Sequence, residues 1–492
     1  MRNEIFELKH IFGLKIKEIR QEKSITYHDL REKTGLSVSY LSEIENGKKY
    51  PKGDKIILLS EALGVSYDQL VSLKVPKRLQ PIVDLIQSDF FKAFPMQEFG
   101  LNPQKIVEIV SHDPEKINAF INTVFQIARN FEVKNEHFYY AALRSYQELQ
   151  DNYFDQLERS AQELLLDFPE LVEIPFTEKT LTQILLQLGV RVNREGLKDP
   201  LLKNIRSIYH EQQRLLYVNK GLTSGQNNFL LAREVAFQWL KIKNRPFSTP
   251  PVGEQNFESI LNNYKSSYFA AAIMMPEQRI VRSFGRLAEQ ERWNGAEFLH
   301  LLKEYDVTPE MLMQRLTNIL PTHFGIKNLF FLRFLSEDEG KDFTLTKELH
   351  LSGQHNPHAN ELNEHYCRRW VSIALAREVQ QKKKSAKGFL ERVQISKYWG
   401  TANEYICIAL AFPNVSNDQE AVSVTVGFLL NKQSREQLKF VSDSSIPVKE
   451  VNTTCERCPI QDCKERAAPP SLHEKLKRQS ELIESVQEVV KS

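Results

Sequence analysis

Two short helices joined at one glycine are the feature that most constrains how this chain folds. They lie in SITYHDLREKTGLSVSYLSEIENG, residues 24–47. Thr26 can cap the first helix, and Gly35 can end it because glycine readily adopts a positive φ. Ser37 can cap a second helix that runs to about Glu45. Two short helices joined by such a tight turn predict a helix-turn-helix.

The sequence on both sides supplies a core for this pair of helices. IFGLKIKEIRQEK comes before it with apolar residues at helical spacing, and KIILLSEALG comes after it as a further helix. We therefore predict a five-helix unit. The wedge between the two motif helices is expected to be filled by Leu30, Leu36, Leu41 and Ile44.

GLSVSYLSEIENG followed by LSEALGVSYDQL is a specific pattern. Through it, residues 8–72 closely resemble the lambda-repressor/Cro-like (XRE) family of DNA-binding domains. The resemblance implies that double-stranded operator DNA is contacted by Thr26, Tyr27, His28, Ser37, Val38, Ser39, Tyr40, Ser42, Lys48 and Lys49. The first three begin the first motif helix near phosphates, the next five lie on the recognition helix, and the lysines lie just beyond it. Arg31 departs from the family, which usually has alanine there, so its stem is expected to reach outward or to open the helix pair slightly.

The charge of this unit is modest. Residues 1–80 hold 15 Lys/Arg and 11 Asp/Glu. Phosphate binding by so mildly basic a module should be sensitive to salt. It should also need a homodimer that covers two half-sites about one helical turn apart. The alternative is a helical bundle that contacts another protein.

Long amphipathic helices are predicted from Pro81 to about Leu166. DPEKINAFINTVFQIARNF has a capped start and a continuous apolar stripe, and FYYAALRSYQELQDNYFDQLERSAQELL is similar with more aromatic residues. We interpret the region as a helical linker that also dimerises. A box of aromatic side chains around a ligand is the alternative.

FLLAREVAFQWL, residues 229–240, reads like the His-Glu-x-x-His helix of a zinc metallopeptidase with both histidines replaced. In such a helix two histidines four residues apart reach one zinc, and the glutamate between them is the general base for the bound water. Here Arg233 and Phe237 stand at the histidine positions, and Glu234 remains. These three residues are named the degenerate site.

Residues 168–276 resemble the ImmA/IrrE family of metallopeptidases in this helix, in the two strands expected before it and in SYFAAAIMMP. The resemblance implies a third, acidic zinc ligand just ahead of SYFAAAIMMP, where this chain has Asn263 or Lys265. Because every ligand position is lost, we predict a pseudo-peptidase with no catalytic zinc, which is not an enzyme. Glu234 is expected to pair with a nearby base or with solvent. A zinc-dependent peptidase that cleaves a partner regulator is the disfavoured alternative, and zinc held through other histidines such as His210 is no stronger. The groove is expected either to hold a peptide or a small ligand, or only to pack.

Short β-rich runs mark a predicted α+β sensor domain over residues 322–470. They are NLFFLRFLSEDEGKDFTLTKELHL, YCRRWVSIALA, EYICIALAFPNV and AVSVTVGFLLN. QQKKKSAKGF lies between them and is interpreted as a solvated loop. Attraction of a phosphate-bearing ligand to these lysines is the alternative.

Three of the five cysteines fall within nine residues, in CERCPIQDCKERAAPP. The C-x2-C spacing of Cys455 and Cys458 lets two thiolates grip one metal from a tight turn, and Cys463 follows. Cys367 is the best candidate for a fourth ligand and His365 is a weaker one. Cys407 lies in an apolar run typical of a core thiol. One structural zinc is the favoured interpretation, and an iron–sulfur cluster or free, redox-active thiols are the alternatives.

The order of the parts carries information of its own. A Cro-like domain, a protease-like domain, a YCRRW segment and a terminal C-x2-C-x4-C with RAxPP together resemble the short-chain fatty-acyl-CoA-responsive transcription regulators, which govern glyoxylate and propionate metabolism genes. The resemblance spans nearly the whole chain. It implies a sequence-specific DNA-binding transcriptional regulator whose C-terminal domain responds to a small metabolite such as a short-chain acyl-CoA.

These parts define a multidomain, mainly α chain of 492 residues. Its predicted domains are a five-helix Cro-like helix-turn-helix over 1–75, a helical linker and dimerisation region over 76–166, a degenerate zincin-like α+β domain over 167–321, an α+β sensor domain with the cysteine cluster over 322–470 and a C-terminal helix over 471–492. Hydrophobic residues make up 41% and charged residues 26%, which is ordinary for a soluble globular protein, and the net charge of +2 indicates no partner. Neither a membrane-spanning apolar run nor a signal-peptide core occurs in the sequence, so we predict a cytoplasmic protein.

Overall fold

The computed structural model describes ten stretches of the chain, namely 2–72, 98–99, 135–171, 173–197, 199–253, 256–337, 340–351, 364–381, 389–414 and 420–491. The chain forms two compact units. One comprises residues 1–146 with 255–258, and the other comprises 147–254 with 259–492. The helix predicted over 113–131 and the lysine-rich loop over 382–388 lie outside the described residues, as does much of the predicted linker.

Local capping signals determine the helices of the first unit. Over residues 2–72 its helices are α1 (Arg2–Glu22), α2 (Tyr27–Thr34), α3 (Val38–Glu45), α4 (Gly53–Leu63) and α5 (Tyr67–Val71). Thr26 and Asp29 form a capping box at the start of α2, which Gly35 ends at a φ of 70°. Ser37 caps α3 by accepting a hydrogen bond from the Tyr40 N–H. The predicted caps and the predicted glycine turn are therefore confirmed.

The core of this unit holds the two motif helices against α1 and α4. Leu30, Leu41 and Ile44 are buried and Leu36 is partly buried, as predicted for the wedge. Gly13 of α1 allows close approach of α3, because a Cβ on Gly13 would lie 2.4 Å from the backbone oxygen of Ile44. The remaining buried apolar residues of this core are Phe12, Ile16, Ile19, Ile56, Leu59, Leu63 and Leu70.

The second unit begins with a small sheet and the helix that carries the degenerate site. The described elements here are α6 (Asn135–Leu149), which straddles the two units, α7 (Asp155–Asp167), α8 (Glu178–Gln187), β1 (Arg191–Asn193), β2 (Ser207–His210), β3 (Leu215–Val218), α9 (Ser224–Trp239), β4 (Ser248–Thr249) and α10 (Phe257–Met274). The sheet order is β1-β3-β2-β4. Strand β1 pairs with β3 in parallel, and the other pairs are antiparallel. The two strands and the active-site-like helix predicted from the sequence are confirmed.

Helix α9 is buried on nearly all of its sides. Thr223 caps it, and a capping box with Gln226 satisfies the first backbone N–H groups. A helix buried all round normally carries apolar residues, yet this one also buries Arg233 and Glu234. Two buried charges on one helix require specific partners, and these partners define the site below.

Three further helices extend this domain: α11 (Glu277–Ala288), α12 (Gly295–Tyr305) and α13 (Pro309–His323). Helices α7 and α13 are joined by a buried ion pair, in which Arg315 donates to the two carboxylate oxygens of Glu158 at 2.5 and 2.9 Å. The Tyr268 hydroxyl donates to the same carboxylate at 2.7 Å. The pair is fully hydrogen-bonded, which a buried ion pair must be to be tolerated.

A six-stranded sheet dominates the C-terminal half. Its strands are β5 (Leu329–Glu337), β6 (Asp342–His350), β7 (Leu390–Tyr398), β8 (Glu404–Pro413), β9 (Ala421–Leu429) and β10 (Val448–Val451), in the order β10-β7-β8-β9-β5-β6. The β10–β7 pair is parallel and the others are antiparallel. Strand β8 is buried along most of its length, whereas the edge strand β6 is largely exposed and carries polar residues.

One of the predicted β-rich runs is wrong. YCRRWVSIALA continues into α14 (Val371–Gln381), a helix whose buried Val371, Leu375, Ala376 and Val379 pack on the sheet. A short apolar run cannot distinguish a strand from a buried helix, and the helical period becomes visible only when the run is extended through AREVQQ. The chain ends with α15 (Lys432–Gln437) and α16 (Ser471–Lys491).

No helix in the described part of the chain is long and apolar enough to cross a membrane. The order of the elements agrees with a multidomain chain. The helix-turn-helix lies in its N-terminal part, and the larger sheet lies in its C-terminal half.

Candidate functional site

The outer face of α3 is the exposed part of the helix-turn-helix. Leu41 and Ile44 face the core, whereas Val38 and Ser39 are exposed, with 39% of Val38 accessible. Lys48 is exposed just beyond the helix. The predicted recognition residues thus include a group that is available to a partner of this helix.

Tyr40 lies among cations. The ammonium of Lys55 is 4.5 Å from the centre of its ring, and that of Lys49 is 5.5 Å away. Lys49 also pairs with Glu43 at 2.7 Å. Lys55 was not among the predicted contacts, because it lies on α4 and only the tertiary fold brings it to the recognition helix.

Several of the predicted contact residues are used inside the fold. The Tyr27 hydroxyl donates to Glu45 Oε2 at 2.7 Å, and the Arg20 guanidinium lies 4.3 Å from the centre of its ring. Burial, together with the hydrogen bond to Glu45, raises the pKa of Tyr27 to about 12. Ser42 accepts from Asn46 Nδ2 at 3.2 Å. Tyr27 therefore ties α2 to α3 and positions the recognition helix.

Other residues keep the positions that the resemblance implies. Thr26 and His28 are exposed at the start of α2, and Ser37 is exposed at the start of α3. Arg31 is also exposed, so its stem does reach outward, as one of the two expectations held.

The degenerate site lies at a pocket between α9 and the segment that leads into β4. Arg233, Glu234 and Phe237 line this pocket together with Tyr209 and Arg245. The side chain of Glu234 is 2% exposed and that of Arg245 is 7% exposed. The site is thus a buried group of charges.

Glu234 is held by Arg245. The two terminal nitrogens of Arg245 donate to the two carboxylate oxygens at 2.8 and 2.6 Å, and Gln238 Nε2 donates at 2.7 Å. The Arg245 guanidinium also lies 3.5 Å from the centre of the Phe237 ring and 4.6 Å from that of Tyr209. The expectation that Glu234 pairs with a nearby base is confirmed, and the base is a residue that the sequence did not single out.

Arg233 has only neutral hydrogen-bond partners in the described structure. It donates to Thr249 Oγ1 at 3.3 Å and to Asn263 Oδ1 at 2.5 Å. Burial, followed by the charge of Arg245, lowers the pKa of Arg233 to about 10. Of the two residues considered for the third ligand position, Asn263 therefore reaches the site.

The loop that carries three of the cysteines follows β10, and the Cys367 N–H donates to the Thr453 oxygen of the same segment at 3.1 Å. Cys367, Cys455 and Cys458 are buried, and Cys463 is partly exposed. Burial is the main cause that raises the pKa of Cys367 to about 11, and the nearby thiols of Cys455 and Cys458 contribute to the rise. The Cys455 Sγ accepts from the Ala467 N–H at 3.3 Å.

A single arginine organises the loop that carries these cysteines. The Arg466 guanidinium donates to the backbone oxygens of Cys455 and Cys458 at 2.8 and 3.1 Å, and also to that of Ile460. Three carbonyls that converge on one planar cation define the shape of the loop. Arg466 was not predicted as part of the cluster.

The histidines His365 and His210 have other hydrogen-bond partners, and Cys407 is a core thiol. His365 Nδ1 is 2.7 Å from Glu456 Oε1, so that nitrogen already has a partner. Cys407 is buried in β8, and burial raises its pKa to about 12, as suits a core thiol. His210 accepts from the Gln213 N–H at 3.3 Å. Within the described stretches, no three His, Cys, Asp or Glu side chains are grouped so as to hold a metal ion.

Comparison with known proteins agrees with both halves of this description. A helix-turn-helix family model matches residues 16–70, and a model of the IrrE N-terminal-like domain matches residues 185–317. The uncharacterized HTH-type transcriptional regulator y4dJ of Sinorhizobium fredii is 32% identical over 66 residues, which is 13% of this chain and 86% of that protein. The chain belongs to the HTH-type transcriptional regulators.

Two other proteins are similar to this HTH-type regulator. One is matched over less than half of its own length, and the other is more distant in sequence. The HTH-type transcriptional repressor RghR of Bacillus subtilis is 38% identical over 61 residues, so the match spans 12% of the regulator and 45% of RghR. A solved structure of a Mycobacterium tuberculosis transcriptional regulator is 15% identical, with a TM-score of 0.46, over 67% of this chain and 94% of its own. That overlap is too loose to carry a functional argument.

Proposed function

We propose that this HTH-type regulator reads operator DNA through α3 as a homodimer and responds to a small metabolite through its C-terminal domain. The observation that carries the DNA-binding part is the exposure of Val38 and Ser39 on a helix anchored from behind by Leu41 and Ile44. A recognition helix of this type enters the major groove by its N-terminal residues. There a serine hydroxyl can bond a base edge and a valine methyl can contact thymine.

Phosphate contacts would come from the helix starts and from the lysines. Thr26 and Ser37 accept cap hydrogen bonds from backbone N–H groups. The Thr26 hydroxyl donates its proton to Asp29 Oδ2 at 2.8 Å, whereas the Ser37 hydroxyl proton can reach a phosphate oxygen. Lys48, Lys49 and Lys55 place cations around Tyr40 and the end of α3. Because these contacts release counterions, binding should weaken steeply as salt rises.

A homodimer is supported by the C-terminal helix. Helix α16 exposes apolar residues at heptad spacing, a C-terminal stripe of Leu476, Ile483, Val486 and Val490. Such a stripe along a helix of 21 residues suits a two-stranded coiled coil with a second copy. Dimerisation would supply the second recognition helix that a two-fold operator requires.

The interior of the C-terminal sheet supports an effector site. Ser423 pairs with Phe334 and Ala411 in register, and Thr425 pairs with Leu332 and Ala409, so both hydroxyls lie on the core face that α14 covers. Their oxygens are buried and lack a hydrogen-bond partner within the described structure, as does Trp370 Nε1. Unsatisfied polar groups inside an apolar core are unfavourable, and a bound ligand with a thioester and amides would satisfy them.

A short-chain acyl-CoA is our proposed effector on the strength of the resemblance described above. Ala409, Ala411 and Ala421 are small apolar residues of the same buried face, and an acyl chain would be expected to lie against them. Binding can shift the regulator only if one arrangement of the dimer binds the acyl-CoA more tightly than the other does.

Loss of peptidase activity is supported by the contacts of the degenerate site. A guanidinium cannot bind zinc, and Arg233 stands where a first histidine would be. Arg245 holds both oxygens of Glu234, so this carboxylate cannot act as a general base. A peptidase that cleaves a partner regulator is correspondingly disfavoured.

The cysteine cluster is our proposed site for one structural zinc, held by Cys367, Cys455, Cys458 and Cys463. Three of these thiols are buried, and those of Cys455 and Cys458 lie near enough to Cys367 to affect its pKa, which supports this set. The four thiols are not grouped as metal ligands in the described structure, so zinc binding would have to draw them together. The Ala467 N–H that meets the Cys455 sulfur is the kind of outer contact that orients a metal-bound thiolate. An iron–sulfur cluster at the same thiols is the alternative, and either metal would cross-link the loop to the YCRRW segment.

Metal analysis of purified protein tests this set. Cys455→Ser should lower bound zinc to near zero, whereas Cys407→Ser should leave it unchanged because Cys407 lies in the core of β8. Equal zinc in the two variants would remove the proposed site. Iron and sulfide in place of zinc in the wild type would select the cluster.

Fluorescence anisotropy with the DNA upstream of the protein's own gene tests the regulator itself. Titrations at two salt concentrations, each repeated with acetyl-, propionyl- and butyryl-CoA, should give tight, salt-sensitive binding that one acyl-CoA changes severalfold. Ser39→Ala should weaken preference for this DNA, while Lys243→Ala, an exposed lysine of the other unit, should not. Binding that none of the three acyl-CoA molecules changes would refute the effector but keep the DNA-binding function.

A further inference from the structure

A small pocket over the degenerate site contains two incompletely bonded guanidinium groups. The pocket is partly open to solvent and has closed room for only about one water-sized group, so only a small head group can enter it. Arg233 and Arg245 both line it, and the Nε–H of each is buried without a hydrogen-bond partner in the described structure. Two strong donors at one pocket therefore lack an acceptor.

The charges at this pocket do not balance. Glu234 is the carboxylate of the group, and both of its oxygens are taken by the terminal nitrogens of Arg245. Arg233 donates to the neutral oxygens of Thr249 and Asn263. The exposed Arg206 adds a further positive charge nearby. A buried cation without a counter-charge is strongly unfavourable, so the pocket favours an anion.

We propose that the degenerate site binds the carboxylate of a small organic acid, held by the Nε–H groups of Arg233 and Arg245. Tyr209 also lines the pocket, and its oxygen accepts from Gln238 Nε2, so its hydroxyl proton is a third donor for the ligand. The site uses residues other than those proposed for the C-terminal effector. The helix that in active relatives holds a cation would here hold an anion.

A carboxylate suits this pocket better than other common anions. It carries two acceptor oxygens, one for each unpartnered Nε–H, and each contact would be a charge-assisted hydrogen bond. A phosphate is tetrahedral and bulkier than a carboxylate, and the small pocket has less room for it. A chloride ion has no directional match to planar guanidinium groups.

Binding of [1-13C]acetate to the full chain tests the proposal. Sodium acetate is titrated at constant ionic strength, with phosphate and chloride titrated in parallel, and the carboxyl linewidth and the melting temperature are recorded. We expect a saturable broadening and a saturable rise in melting temperature with acetate. Arg233→Met should weaken this binding by about tenfold or more, since a charge-assisted hydrogen bond is lost. Arg159→Met, at an exposed arginine of the same unit, is the matched control and should behave as the wild type.

Asn263→Asp is a second variant that does not require loss of the arginine. It would place a fixed carboxylate beside Arg233, at the position of the present 2.5 Å contact. We expect it to raise the melting temperature without acetate and to abolish the acetate response. An acetate response that persists in both site variants would overturn the proposal. Saturable binding of phosphate or chloride but not acetate would overturn the assignment to a carboxylate.

Discussion

The buried charges of the degenerate site differ in whether they have a counter-charge. Glu234 and Arg245 satisfy each other, whereas Arg233 lies beside them with neutral partners. Arg233 and Glu234 should therefore respond differently to replacement, although they are neighbours on α9.

Glu234→Gln should lower the free energy of unfolding by about 3–5 kcal/mol, because it leaves the buried Arg245 guanidinium without its carboxylate partner. Arg233→Met should leave stability unchanged or raise it, because it removes a buried charge that has no counter-charge and keeps the volume apolar. Urea unfolding in buffer free of carboxylates measures both. Equal destabilisation by the two substitutions would show that the charges are balanced in some other way.

The Glu158–Arg315 pair gives a prediction about pH. Burial opposes ionisation of Glu158, but the charge and hydrogen bonds of Arg315 outweigh it and lower the pKa of this carboxyl below its ordinary value of 4.5. A depressed carboxyl pKa contributes stability at pH values above the unfolded pKa, and this contribution is lost as pH falls through the folded pKa. Glu158→Gln should therefore be less stable than the wild type at neutral pH, with a difference that shrinks as the pH is lowered below about 4.5.

Chemical denaturation of both proteins across this range measures that difference. A stability difference that stays constant from neutral to acidic pH would mean that the pair acts through packing and not through charge.

Secondary-structure elements differ in how far local sequence determines them. The helix-turn-helix could be predicted because Thr26, Gly35 and Ser37 are signals that act within a few residues. Helix α14 was mistaken for a strand because its first six residues are an uninterrupted run of apolar and small residues. Arg245 could not be found at all, because its partner Glu234 lies on a different element and the pairing depends on tertiary structure.

The covered face of the C-terminal sheet gives a prediction about the effector. Thr425→Val replaces an unsatisfied buried hydroxyl by a methyl group of the same shape, so the melting temperature without ligand should stay the same or rise. If the hydroxyl binds the effector, the same substitution should reduce the response of DNA binding to acyl-CoA. Thr344→Val, at an exposed position on β6, is the matched control and should retain the full response. A normal acyl-CoA response in Thr425→Val would place the effector elsewhere.

The whole molecule should depend on pairing of two copies. Removal of residues 471–492 takes away the C-terminal stripe, and light scattering should then show a monomer where the full chain is a dimer. Binding to a two-fold operator should weaken in parallel, since one recognition helix covers one half-site.

A pair of substitutions checks this result without truncation. Ile483→Lys together with Val486→Lys should have the same effect as the deletion, whereas Lys477→Ala, which lies off the stripe, should not. A dimer that survives the deletion would assign the contact to another part of the chain.

Arg245 also bears on the descent of this protein. Under the proposal that peptidase chemistry has been lost, a lineage that regained histidines through Arg233→His and Phe237→His would still carry Arg245 clamped on the general base. These two changes alone would therefore not restore hydrolysis, and Arg245 would have to be replaced as well. Arg245, which blocks the general base, lies eleven residues from Glu234 and outside the motif by which such enzymes are recognised.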